Sequence, residues 1–198
     1  MVHSEGRRKV FFALDSNKAY HLEIIEEFLK NNFIVVLVCD TKNWESEELK
    51  ELSRQFPKSL ETIHSDFKTE KKAKALQNRL FEKFYPFDYG MTNLDQIEIS
   101  IDGEIQLENI QEMIEGKLNS YFHFLKCLFP LFNSNLSFLF HIKLQEKSNK
   151  LGQYEPLVNV ARESMLQTCL LENSDLNIQV GDLVLMKSLQ VDKIFKGE

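Results

Sequence analysis

The histidines, acids, hydroxyls and thiols of this chain suggest metal binding, nucleophilic catalysis or thiol chemistry, and their spacing weighs against each. His64, Asp66, His123 and His141 are donors of the type zinc uses. Zinc ligands converge when they sit at helix-face or turn spacing. No two of these residues do, so no metal is expected. Ser16, His21 and Asp40 have the residue types of a nucleophile, a base and an orienting acid. A nucleophile elbow wants flanking glycines, yet no glycine stands between Gly6 and Gly90. The cysteines, Cys39, Cys127 and Cys169, are odd in number and far apart. Without a CxxC pair they offer neither a zinc ribbon nor a redox motif. Buried, reduced thiols in a cytoplasmic protein are the expectation. The basic run Lys68–Lys74 is expected to be a solvated helix start.

The elements that would position such residues alternate. Lys9–Leu14 and Phe33–Cys39 are short apolar runs, expected as buried strands. A run apolar on both faces suits a parallel sheet covered by helices on each side. Between them lies a helix over His21–Asn31, ended by Asn31-Asn32. Further helices are expected over Trp44–Phe56, Thr69–Phe84, Ile110–Phe132 and Leu157–Leu171. Strands are expected over Leu60–His64, Phe87–Met91, Leu136–Leu144 and Ile178–Met186. The alternating stretch Ile97–Leu107 carries Asp102-Gly103, a hairpin-turn signal. This order predicts an α/β fold: a Rossmann-like, doubly wound, mainly parallel sheet of about six strands with helices on both faces. The third, first and fourth strands are expected to be neighbours.

At 198 residues the chain suits a single domain, with its core over about 9–186 and an N-terminal tail over 1–8. Its net charge of −6 argues against a nucleic-acid partner, which usually leaves a basic patch. No signal peptide or membrane-length apolar run is found, so no membrane insertion and a cytoplasmic location are expected.

Laid on these elements, the sequence resembles the short-chain dehydrogenase/reductase family. That family's first turn reads T-G-x-x-x-G-x-G. The eight positions here run from Leu14 to His21, and Asp15, Ala19 and His21 stand in the glycine places. Asp66 fits the acid that follows the family's third strand. Asn93 is the one asparagine left where N-N-A-G is expected, over Thr92, Asn93, Leu94 and Asp95. Tyr121–Phe132 is similar to the family's helix that closes with L-P-x-M, with Phe122 and Pro130 in place. The family's catalytic Asn falls on Lys117 and its Ser nearest His141. Tyr154 lies where the family has its Tyr, but Val158 takes the lysine place of Y-x-x-x-K. The alternative register, with Glu155 and Asn159, has no lysine either.

The losses have a physical reading. Glycines let backbone N–H groups approach a pyrophosphate at a helix N-terminus. Asp15 brings negative charge to that place, and Asp15 or Ser16 can cap the helix itself. In the family the lysine lowers the tyrosine's pKa. An unassisted tyrosine, with a pKa near ~10, is a poor base at neutral pH. The resemblance therefore implies a catalytically inactive member with no cofactor, in which Asp15, Ala19, His21, Asp66, Asn93 and Tyr154 are vestigial positions.

One feature points to a partner. The helix 110–132 is apolar well beyond the ~100° stripe of a surface helix. Phe124, Cys127 and Leu131 supply the excess. They are expected to be buried by the helix 157–171 and by a second chain, because the family commonly dimerises through these helices. An interaction or scaffold subunit is thus the expected function. The alternatives are a ligand sensor that holds a nucleotide or acyl compound in the crevice, and an atypical oxidoreductase.

Overall fold

The computed structural model describes residues 7–14, 19–39, 46–65, 69–93, 118–133, 137–144 and 155–185. Their elements are β1 (Val10–Leu14), α1 (Ala19–Lys30), β2 (Ile34–Cys39), α2 (Glu47–Gln55), β3 (Leu60–His64), α3 (Glu70–Phe84) and β4 (Tyr89–Asn93). After these come α4 (Asn119–Leu128), a 3-10 turn (Phe129–Leu131), β5 (Ser137–Leu144), α5 (Glu155–Glu172) and β6 (Ile178–Leu185). The expected hairpin over 97–107 and the first part of the helix 110–132 lie outside the described residues.

Local sequence accounts for the boundaries. Ser46 caps α2, its hydroxyl accepting from the Leu49 N–H at 3.2 Å, and Thr69 caps α3 in the same way through Lys72. Asn32 ends α1 with φ at 65°, a conformation asparagine adopts more readily than most residues. Asn31 adds a bond from its amide to the Glu27 carbonyl at 2.8 Å.

The six strands form one sheet in the order β3-β2-β1-β4-β5-β6, and every pair is parallel. The chain winds outward from β1 through β2 to β3, then starts again on the other side of β1 and winds outward to β6. One part of the expected order is corrected. β4 neighbours β1, but β3 does not, because β2 lies between them. Successive right-handed crossovers move one strand at a time, so the third strand lands beyond the second.

Alternating residues of each strand serve two cores. Phe11, Ala13, Val35 and Leu37 pack with α1 and α2. Val10, Phe12, Val36 and Val38 pack with α3, α4 and α5. In the second core, α4 sits between α3 and α5. Phe12 stacks with Phe124 from α4 at 6.0 Å and with Phe87 at 5.1 Å between ring centroids. Gly90 is needed here: a Cβ at that position would lie 2.5 Å from the Phe132 ring.

Arg7 and Arg8, expected to end the polar tail, instead brace the amino ends of the strands. Arg7 holds Asp88 through two bonds of 2.8 Å and donates to the Pro86 carbonyl. Arg8 turns to the other side and donates to the carbonyls of Asn32 and Phe33 and to the Ser59 hydroxyl.

Candidate functional site

Open parallel sheets bind ligands beyond the carboxyl ends of their strands, where the strand order reverses. Here that place lies between β1 and β4. Leu14 ends β1 and pairs in register with Thr92, and Asn93 follows as the last residue of β4. Ala19 opens α1, and His21 lies in its first turn with no exposed surface. Ala19 and His21 thus open the helix that follows β1, and Asn93 ends β4, the strand beside β1. Asp15, Asp66 and Tyr154 lie outside the described residues, as do Ser16, Asp40 and Lys117. Val158, at the lysine place, lies within α5.

The register adds a residue that sequence reasoning missed. Thr92 pairs with His141, and His141 with Asp182. A threonine, a histidine and an aspartate therefore stand side by side on three adjacent strands, in the row of Leu14. Nothing local marks Asp182, because only strand pairing brings it beside His141. His64, at the end of β3, is exposed and pairs in register with the buried Cys39. Among the described residues, no group of three His, Cys, Asp or Glu residues could hold a metal ion.

The opposite, amino end holds a buried carboxylate. Asp88 accepts from Arg7, from the Val10 N–H at 2.8 Å and from the Asn133 amide at 3.2 Å. Ser137, fully buried, donates to the carbonyl of Phe87 or of Asn133, at 3.2 and 2.8 Å. These contacts tie β1 to β4 and β4 to the start of β5, which sets the register of the row at the other end.

The apolar excess on α4 proves to be internal. Phe124 has no exposed surface, Cys127 is 2% exposed and Leu131 3%. The expectation that a second chain covers these three is corrected: α3 on one side, α5 on the other and the sheet beneath cover them within the chain. A helix in the middle of a layer is buried on three sides, so its apolar arc exceeds that of a surface helix. What α4 leaves exposed is Phe122, at 43%, with the Lys126 ammonium 6.0 Å from its ring centroid. Beside α4, the Arg162 guanidinium lies 5.5 Å from the Tyr121 ring centroid. Burial pushes the Tyr121 phenol above its ordinary pKa, an effect that Arg162 offsets in part. Burial also raises the thiols of Cys127 and Cys169. All three cysteines are free, Cys169 only partly buried.

No protein-family model matches the sequence, and no curated protein matches it. Solved structures do. A short-chain dehydrogenase/reductase of the glucose/ribitol dehydrogenase type from Brucella melitensis superposes with a TM-score of 0.69 at 16% identity, covering 89% of this chain and 74% of that one. A short-chain dehydrogenase/reductase from Serratia marcescens gives 0.66 at 14% identity, covering 88% and 72%. L-Sorbose reductase from Gluconobacter frateurii, complexed with NADPH and L-sorbose, gives 0.66 at 21% identity, covering 88% and 68%. Identities this low establish the architecture alone: the chain has the Rossmann-like fold of the short-chain dehydrogenases/reductases.

Proposed function

We propose that this chain is a non-catalytic protein of the short-chain dehydrogenase/reductase fold, a pseudoenzyme working as an interaction or scaffold subunit in a homodimer or larger complex. The observation that carries the reading is the residue at the third glycine place. His21 puts a fully buried imidazole into the first turn of α1, where the family has no side chain at all. A dinucleotide pyrophosphate needs backbone N–H groups that it can approach closely. Asp15 and Ala19 stand at the other two glycine places. The residues present do not fit a nicotinamide dinucleotide, and no hydride-transfer step is derived for them. Val158 at the lysine place supports the same reading independently.

Melting temperature tests this directly. A working dinucleotide site at ~100 Kd of ligand would add ~2.7 kcal/mol of stability. Millimolar NAD or NADP should leave the melting temperature unchanged, and a clear upward shift would overturn the reading.

The partner surface is the outer side of α4 and α5. It exposes Phe122, Val160 at 60% and Leu171 at 79%, in place of the buried Phe124, Cys127 and Leu131. Phe122→Glu together with Leu171→Glu should convert a dimer into a monomer on size exclusion with light scattering, with circular dichroism unchanged. A wild-type protein that stays monomeric up to high concentration would remove the homodimer.

A second reading, a sensor that holds a small ligand in the crevice without turnover, is favoured by the polar row at the strand ends. Ligand-dependent melting separates it from a pure scaffold. An atypical oxidoreductase is the third reading, and the same dinucleotide test addresses it.

A further inference from the structure

The charge of α3 runs against that of the chain. It holds Lys71, Lys72, Lys74, Arg79 and Lys83 against Glu70 and Glu82, and is basic in a chain of net charge −6. The layer on the other face of the sheet is acidic: Glu23, Glu26 and Glu27 against Lys30 on α1, and Glu47, Glu48 and Glu51 against Lys50 and Arg54 on α2. On its own face α3 is the outer helix, with α4 beside it and α5 beyond. α5 is acidic again, with Glu155, Glu163 and Glu172 against Arg162. The positive ground is therefore α3 and the near edge of α4, where Lys126 reaches Glu70 at 3.3 Å.

Helical spacing sorts these side chains. Ala73, Leu76, Leu80 and Phe84 are buried in the core. Lys71, Lys74, Asn78, Phe81 and Tyr85 recur every three or four residues along an outward stripe, and all are exposed. Phe81 is 54% exposed and Tyr85 48%, and their rings pack on each other at 4.8 Å between centroids. Arg79 and Lys83 turn elsewhere, to Glu61 on β3. Glu70 is shared by Lys74 and Lys126. Exposed ion pairs of this kind are weak, so these ammonium groups can exchange one oxygen anion for another. The stripe has lysines at one end and a pair of rings at the other, on the convex side of a helix.

Such a surface suits an anionic bilayer. Lysines near a membrane are attracted by anionic headgroups, and rings that stand beside them enter the boundary between headgroups and acyl chains. Charge is screened over about 8 Å at physiological salt, so the patch is felt apart from the acidic layer across the sheet. A second copy of the chain fits less well. Its acidic layer, α1 and α2, exposes no large apolar side chain among the described residues to meet the two rings. A bilayer supplies both negative charge and apolar depth, and it needs no matching shape. We infer that α3 is a docking surface for membranes rich in anionic lipid. The chain lies on the membrane there without spanning it; among the described residues no helix is long and apolar enough to cross. This inference is independent of the dinucleotide reading and of the partner surface on α4 and α5.

The test floats the full chain with vesicles of pure phosphatidylcholine and with vesicles containing about 30% phosphatidylserine. The chain should bind the second and not the first, and about 0.5 M salt should release it. One lysine near an anionic surface strengthens binding about fivefold, so Lys71→Glu with Lys72→Glu should weaken it about tenfold or more. Glu82, exposed on the same helix, opposes binding, and Glu82→Lys should strengthen it about fivefold or more. A gain of this kind cannot come from lost structure. Phe81→Ser with Tyr85→Ser should weaken binding severalfold, because the rings act through apolar burial. Unchanged melting temperatures check that the variants are folded. Equal binding to both vesicles, or to neither, would overturn the inference. Binding that ignores Lys71, Lys72 and Glu82 would place the lipid contact elsewhere and overturn the assignment to α3. Binding of soluble poly-glutamate, with none to either vesicle, would make α3 a site for an acidic protein and overturn the membrane.

Discussion

The two ends of the sheet are built by different means. At the amino ends, long side chains reach across strands and bind named backbone groups. Arg7 and Arg8 diverge from the start of β1, and Asp88 collects donors from Arg7, Val10 and Asn133. At the carboxyl ends, the polar residues arrive one per strand, and their neighbourhood is made by register: Thr92, His141, Asp182. The amino end holds the strands in line, and the alignment creates the group at the far end.

The largest expected effect tests the core shared by both ends. Phe124→Glu would place a charge among Phe12, Tyr121 and the sheet. A buried unpaired charge costs several kcal/mol, of the order of a small domain's whole stability. The variant should be unfolded by circular dichroism. A folded variant that has merely lost a partner would return Phe124 to an interface.

Next comes the clamp. Asp88→Ala removes the acceptor for Arg7, Asn133 and the Val10 N–H, and should cost about 2–4 kcal/mol in a urea melt. Arg7 is one-third exposed, so Arg7→Ala should cost less, about 1 kcal/mol. If Asp88→Ala is neutral, the amino end does not hold the strands in line, and the contrast between the two ends fails.

Gly90→Ala sits on β4 between the two ends. Its Cβ would meet Phe132, which is 1% exposed and has little room to move. Overpacking of this kind costs about 1–3 kcal/mol. Thermal melting checks it, and an unchanged melting temperature would mean the Phe132 ring can yield.

The smallest effect is in pH. Burial holds the Tyr121 phenol above its ordinary pKa, so the folded state keeps a proton that the unfolded chain releases near pH ~10. The unfolded state then binds fewer protons, and stability falls as the pH rises past that value. Cys127 and Cys169 push the same way from lower pH. Tyr121→Phe should therefore lose less stability than wild type between pH 9 and 11 in paired urea melts. Equal losses would assign the whole effect to the thiols.

Much of this fold is legible in local pattern. The run Phe33–Cys39, apolar at every position, has to be a strand covered on both sides, and Ile34–Cys39 is one. Asn31-Asn32 marks the end of α1, and Ser46 and Thr69 cap their helices through their own hydroxyls. Such features depend on a few consecutive residues, so the chain carries them without reference to anything distant.

The width of the apolar arc on α4 also stands in the sequence, but not its cause. A partner chain and two flanking helices demand the same hydrophobic pattern, since burial is not directional. Only the placement of α4 between α3 and α5 decides for the chain's own core. Strand order is the same kind of question, because β3 has no local signal that sets it beyond β2 and away from β1. Asp182 beside His141 and Asp88 beside Arg7 are the clearest cases. The sequence by itself determined which segments are strands and helices, and that glycines are missing from the first turn. The tertiary structure decided which distant residues became neighbours, because parallel pairing is set by crossovers and packing that no short window contains.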